Sequence, residues 1–129
     1  MSFTVVPSAF EASEPSDGEA AARVAIAAEG FTHLVVGDVG PGSLEIHFHD
    51  FPNAAAILAG ELVLTDIETG IVHVCGPGTV IIDSGRSLHR ESHGDYRVAV
   101  GYHVHPRQLE LPIVRYPDGA PDAGERQMA

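Results

Sequence analysis

The chain has 129 residues, 44% of them hydrophobic, which suits one domain around one buried core and argues against a second. Asp and Glu number 18 against 7 Lys and Arg, and the resulting formal charge of -11 repels phosphate backbones and anionic membrane surfaces, so nucleic acid and membrane are poor partners. A lone cysteine, Cys75, rules out an intramolecular disulfide and fits a reducing, cytoplasmic setting. Residues Met1 to Phe10 lack a basic start and a long apolar core, and no stretch approaches the roughly 18 to 20 apolar residues that span a bilayer.

Taken in chain order, Phe3 to Val6 reads as a short edge strand, and the Ser-, Pro- and Gly-containing acidic stretch from Glu11 to Glu19 reads as a loop. A short helix fits only Gly18 to Ala22. From there the pattern is one of short β-branched or alternating runs: Val24 to Ala28, Thr32 to Val36, Leu44 to Phe48, Glu61 to Thr65, Ile71 to Val74, Val80 to Ile82 and Tyr96 to Val104. Turn signals separate them, in Gly37 to Gly42, in Glu68-Thr69-Gly70 and in Gly76-Pro77-Gly78. Ala54 to Ala56, between Pro52 and Gly60, reads as a loop entering a strand. Many short strands at such spacing predict an all-β sandwich or barrel. The organisation expected is an N-terminal strand and acidic loop over 1–30, a barrel over 31–116 and a mobile C-terminal tail over 117–129. The apolar run Leu109 to Val114, after the last strand, is expected to cover an edge or contact a partner.

Eight histidines stand in this chain, and their placement carries the chemistry. Side chains two apart on a strand face the same way, so Glu45, His47 and His49 share one face, and two imidazoles about 7 Å apart at Cα can reach a common ion. Exposed or hydrogen-bonded strand histidines are the plain alternative. In the last strand Arg97, Ala99, Gly101, His103 and His105 share a face, with Tyr96, Val98, Val100, Tyr102 and Val104 opposite. If that second face packs between sheets, His103 looks into the barrel.

Two stretches resemble the cupin family. The first runs Gly42-Ser-Leu-Glu-Ile-His47-Phe-His49-Asp-Phe-Pro-Asn53 and closes on Gly60, matching the family's first motif except that Asn53 stands where its metal-binding glutamate is expected and the first glycine is one residue closer. The second runs from Gly78 to His89, with Ser84 and Arg86 where the family has Pro and a second Gly. The resemblance covers roughly Gly42 to Val104 and implies a single-domain cupin β-barrel, the double-stranded β-helix or jelly roll.

It also implies a divalent metal ion, iron, zinc or nickel, held by His47, His49 and His89, with Asn53 and His103 as further candidate ligands. Neutral imidazoles suit all three metals. Glu45 is the candidate catalytic residue, as a proton acceptor or an orienter of a ligand imidazole, against the reading of a solvated strand acid. His33 and Arg86 are candidates for the substrate pocket. A small organic substrate inside the barrel is expected, with an oxygen-using dioxygenase as the first reading. A non-redox zinc cupin such as a polyketide cyclase, isomerase or lyase is the second, and a non-catalytic ligand-binding cupin the third. A homodimer is expected by resemblance. Cys75 has no neighbour that would activate it as a nucleophile.

Overall fold

The computed structural model describes residues 3–11, 15–104 and 116, with residues 15–17 described by their backbone alone. Nine strands and one helix follow in the order β1 (Phe3–Val6), α1 (Pro15–Ala27), β2 (His33–Val39), β3 (Gly42–His47), β4 (Asn53–Ala59), β5 (Leu62–Asp66), β6 (Val72–Cys75), β7 (Val80–Asp83), β8 (His89–His93) and β9 (Tyr96–Tyr102). Every pairing is antiparallel. One sheet has the order β1-β7-β4-β9-β2 and the other β3-β8-β5-β6. Strands β2 to β9 are thus divided between two four-stranded sheets, changing sheet at every step except the β5-β6 hairpin, in the manner of a jelly roll, with β1 added at one edge. Among the described residues no helix is long and apolar enough to cross a membrane. The tail over 117–129, the run Leu109 to Val114 and His105 lie outside the described residues.

Helix α1 corrects the sequence reading at two places, since the acidic loop is helical from Pro15 onward and the strand expected over Val24 to Ala28 belongs to the same helix or its end. Alternation of Val24, Ile26 and Ala28 suggests a strand, yet Gly18, Ala22 and Ile26, spaced by four, form the buried stripe, while Val24 is 72% exposed. Alanine-rich composition favours the helical choice. Gly30, with φ of +94°, ends it in the left-handed conformation that a glycine adopts without strain, and the N–H of Phe31 reaches back to the carbonyl of Ile26 at 3.3 Å.

The helix packs on the five-stranded sheet. Ala22, Ile26 and Phe31 meet Ala54, Ala56, Leu58, Val80 and Ala99 in one core, and Ile57, Leu62, Leu64, Cys75, Ile81 and Val98 form a second. Ala54 to Ala56, expected as a loop, lie inside β4, a central strand between β7 and β9. Alanine is a poor strand former in isolation, but here small side chains are what allow a helix to lie close over the sheet. Gly101 shows how close: a Cβ there would overlap Ile26 and come within 2.9 Å of the Phe31 Cβ.

This placement fixes which face of β9 is inward. Ala99 and Gly101 lie under the helix, so Tyr96, Val98, Val100 and Tyr102 are the residues that line the space between the sheets. That face does pack between the sheets, but His103 belongs to the opposite one, so the expectation that it looks into the barrel is corrected. His103 is exposed, stacks on Phe31 with ring centroids 4.5 Å apart, and its Nδ1–H donates to the carbonyl of Gly30 at 3.1 Å.

Candidate metal centre

Strands β3 and β8 are neighbours, and their register brings the two histidine motifs together. Leu44 pairs with Glu91 and His47 with His89, so three steps along β3 match two along β8. Glu45 and Ile46 together oppose Arg90 in a β-bulge. An extra residue reverses the alternation of faces, which puts Leu44 and His47 on the same inner side. Glu45, expected to share a face with His47 and His49, is exposed instead. What Glu45 contributes inward is its carbonyl, which accepts from the Nδ1–H of His47 at 2.6 Å.

His47, His49 and His89 each offer a ring nitrogen within 4.8 Å of the other two. Their ring centroids are 4.1 Å apart for His47 and His89, 5.2 Å for His47 and His49, and 5.3 Å for His49 and His89. The Nδ1–H of His89 donates to the carbonyl of Ser87 at 2.9 Å, repeating the arrangement of His47. Both imidazoles are thus held by the residue two positions earlier, which leaves Nε2 of each free of backbone partners and aimed at the cluster. Anchoring the second nitrogen in this way is how proteins orient metal-ligating histidines. His49 lies just beyond the end of β3, and its carbonyl accepts from the N–H of Arg86 at 2.6 Å, tying this loop to the turn before β8. This buried three-histidine cluster could hold a metal ion.

Electrostatics favour the neutral form at one imidazole and the charged form at another. Burial, reinforced by the neighbouring His89, pushes the pKa of His47 down to about 4, so that the ring is neutral at pH 7. Burial also works against the charged form of His89, but it is outweighed by the Glu91 carboxylate, with Oε1 3.4 Å from Nε2, and by the Ser87 carbonyl, so its pKa stands above the ordinary value. Glu91 responds in the opposite sense: burial would raise its pKa, and the hydrogen bond and charge of His89 hold it below the usual carboxylate range. Asp83 is buried, and desolvation raises its pKa despite the Gly85 N–H at 2.8 Å and the Asn53 amide at 3.4 Å.

The cluster opens into a cavity of about 230 Å³. His47, His49 and Glu91 stand on one side, and Phe51, Leu62, Tyr96, Val98, Val100 and Tyr102 form much of the wall. Burial raises the pKa of Tyr102 and lifts that of Tyr96 to about 12, so both phenols stay protonated near neutrality. Asn53 lines the same cavity, its amide donating to the Phe51 carbonyl at 3.3 Å as well as to Asp83. His33 and Arg86, the other pocket candidates, do not line it. His33 pairs with Tyr102 at the edge strand β2, and the Arg86 side chain is 67% exposed beside Asp50, at 3.4 Å. Arg86 has another function in the turn: at φ of +61° it occupies the left-handed conformation where the second motif has glycine.

Glu91 was not singled out by sequence reasoning, although its signal is simple. It lies two residues after His89 on β8, and alternation puts His89, Glu91 and His93 on one face. Cys75 is buried, and desolvation raises its thiol pKa to about 11, as suits an inert core cysteine.

The jelly-roll strand order brings both histidine motifs together on adjacent strands. The fold is cupin-like. Two solved structures are similar to the chain. The polyketide cyclase RemF from Streptomyces resistomycificus matches with 25% identity and a TM-score of 0.48, over 65% of this chain and 60% of the cyclase, so the cupin-like chain spans somewhat less than two thirds of that protein. A DUF861 family protein from Thermotoga maritima matches with 14% identity and a TM-score of 0.49, over 77% of this chain and 97% of the other. No protein-family model and no curated protein matches the sequence.

Proposed function

We propose that the protein is a metal-dependent enzyme acting on a small carbonyl-bearing molecule inside the barrel, with no change of redox state: a cyclisation, isomerisation or lyase step. The observation that carries this reading is the convergence of the His47, His49 and His89 nitrogens within 4.8 Å at the side of a largely apolar and aromatic cavity. A divalent cation at such a site supplies Lewis acidity, polarising a carbonyl or enolate oxygen.

The chain's own residues account for the remaining requirements. His47 meets the cation as a neutral donor, because burial keeps its ring unprotonated, and the Glu45 carbonyl fixes its tautomer. Val98, Val100 and Leu62 exclude water from the substrate body. Phe51 and Tyr102, with ring centroids 5.9 Å apart, offer aromatic surface to a planar conjugated group. The phenols of Tyr96 and Tyr102, kept protonated by burial, are available as hydrogen-bond donors in the same wall.

The test is elemental analysis of protein purified without added metal or chelator, beside a His47→Ala, His89→Ala double variant, with anaerobic assays on a panel of 1,3-dicarbonyl compounds. Near-stoichiometric zinc that the variant loses, with anaerobic turnover, is the expected result. Iron together with oxygen consumption replaces this reading by the oxygen-using one. A protein that takes up neither zinc, nickel nor iron on titration overturns the metalloenzyme reading and leaves a ligand-binding barrel.

A further inference from the structure

We propose, resting on the reading that the three histidines hold a divalent cation, that Glu91 is the fourth protein ligand of that cation, a carboxylate supplied from β8 in place of the one that Asn53 replaces at the start of β4.

Three observations carry this assignment. The first is a spacing. Donor atoms bound tetrahedrally to one ion at about 2.0 to 2.2 Å lie roughly 3.3 to 3.6 Å from each other. Oε1 of Glu91 is 3.4 Å from Nε2 of His89.

The second is which nitrogen the carboxylate faces. A carboxylate that merely orients a ligand histidine bonds the nitrogen turned away from the metal. In His89 that nitrogen is Nδ1, and the Ser87 carbonyl already holds it. Glu91 stands instead at Nε2, the nitrogen on the cluster side, where a neighbour of the ligand atom is a neighbour of the ion.

Charge supplies the third. Glu91 lines the cavity with only 21% of its side chain exposed, and no Lys or Arg is among the residues lining that cavity. A buried carboxylate needs a cation or a full set of donors. The basic group beside Glu91 is the imidazole of His89, with Nε2 3.4 Å from Oε1. An ion bound by the three rings supplies the cation there. Of the other acids near the cluster, Glu45 lies on the outside of the bulge, Asp83 meets the Gly85 N–H and the Asn53 amide, and Asp66, paired with His89 across β5 and β8, accepts from the Glu68 N–H at 3.0 Å.

The experiment measures zinc affinity by competition with a chromophoric chelator and records the visible absorption of the cobalt(II)-loaded protein, for the wild type, Glu91→Gln and, as a control for lost surface charge, Glu61→Gln. Expected for Glu91→Gln is one metal per chain, an affinity at least tenfold lower, and displaced cobalt bands, with Glu61→Gln matching the wild type. Wild-type affinity in Glu91→Gln overturns the assignment while leaving the three-histidine reading intact. So does a loss of affinity with an unchanged cobalt spectrum, since Glu91 is then outside the coordination shell. A wild type that binds no metal overturns both. A crystal structure of zinc-loaded wild type gives the same decision without a variant: a Glu91 oxygen at about 2.0 to 2.2 Å from the ion supports the ligand role, and water there with Glu91 at hydrogen-bond distance overturns it.

Discussion

Leu44 and His47 face the same cavity although an odd number of steps separates them on one strand, because Glu45 and Ile46 share a single partner, Arg90, across the sheet. The consequence for Glu45 is measurable. Its carbonyl orients His47, but its carboxyl is outside, so Glu45→Gln keeps the backbone bond and removes only an exposed charge. Zinc affinity of Glu45→Gln is expected within about twofold of the wild type, in keeping with the small effect of exposed charges. A tenfold loss in a chelator competition contradicts the bulged register.

His47 links stability to pH in the metal-free protein. Its pKa is depressed from 6.5 to about 4 on folding, so the unfolded chain binds the proton more readily than the native one. That contribution is fully present above pH 6.5 and is lost as pH falls toward about 4, by about 3 kcal/mol in total. His89 works in the opposite sense, since its raised pKa stabilises the fold below its unfolded value and that stabilisation is lost as pH rises. Denaturant titrations of apo wild type and His47→Gln between pH 7 and pH 4 separate the two, and the variant is expected to show the shallower acid loss.

Gly101 is the position where α1 and β9 come closest, and any side chain there displaces Ile26 or Phe31. Gly101→Ala is expected to cost about 1 to 3 kcal/mol, the usual range for overpacking, and to lower the thermal midpoint accordingly. Calorimetry checks this, and an unchanged midpoint shows that the helix can lift off the sheet at no cost.

Arg86 holds a left-handed backbone conformation that only glycine adopts freely, and its ion pair with Asp50 is largely solvent-exposed. Arg86→Gly is therefore expected to raise stability by about 0.5 to 1 kcal/mol, with zinc affinity retained because the N–H that supports His49 is a backbone group. A denaturation midpoint below that of the wild type contradicts the strain argument.

The clustering of His47, His49 and His89 was legible because its signals are local: a His-x-His pair and a glycine-to-histidine separation survive whatever the neighbouring strands do. The face that Glu45 occupies was not, since one inserted residue reverses alternation and no feature of Leu44-Glu45-Ile46 announces it. His103 failed for a related reason. β9 has apolar or small residues on both faces, and choosing the inner one requires knowing that α1 covers Ala99 and Gly101. That helix was itself obscured, because Val24 and Ile26 alternate as they would in a strand while the buried spacing of Gly18, Ala22 and Ile26 relies on residues too small to register as an apolar stripe. Glu91 is signalled by alternation along β8, where it shares a face with His89 and His93, but the motif that ends at His89 gives no reason to follow that strand further.

Phe3, on β1, lies edge-on against the ring of His89, with centroids 4.9 Å apart. Among the described residues β1 pairs with one neighbour, β7, at the margin of its sheet. The buttress of an inner imidazole is therefore one of the segments most prone to local opening, since marginal strands part from a sheet at lower free energy than central ones. When the first strand peels away, His89 loses its aromatic backing and water gains a route to the imidazole from behind. Amide exchange over Phe3–Val6 and release of an ion held by the cluster would then be two readings of one motion, and whatever pins β1 would also slow that release.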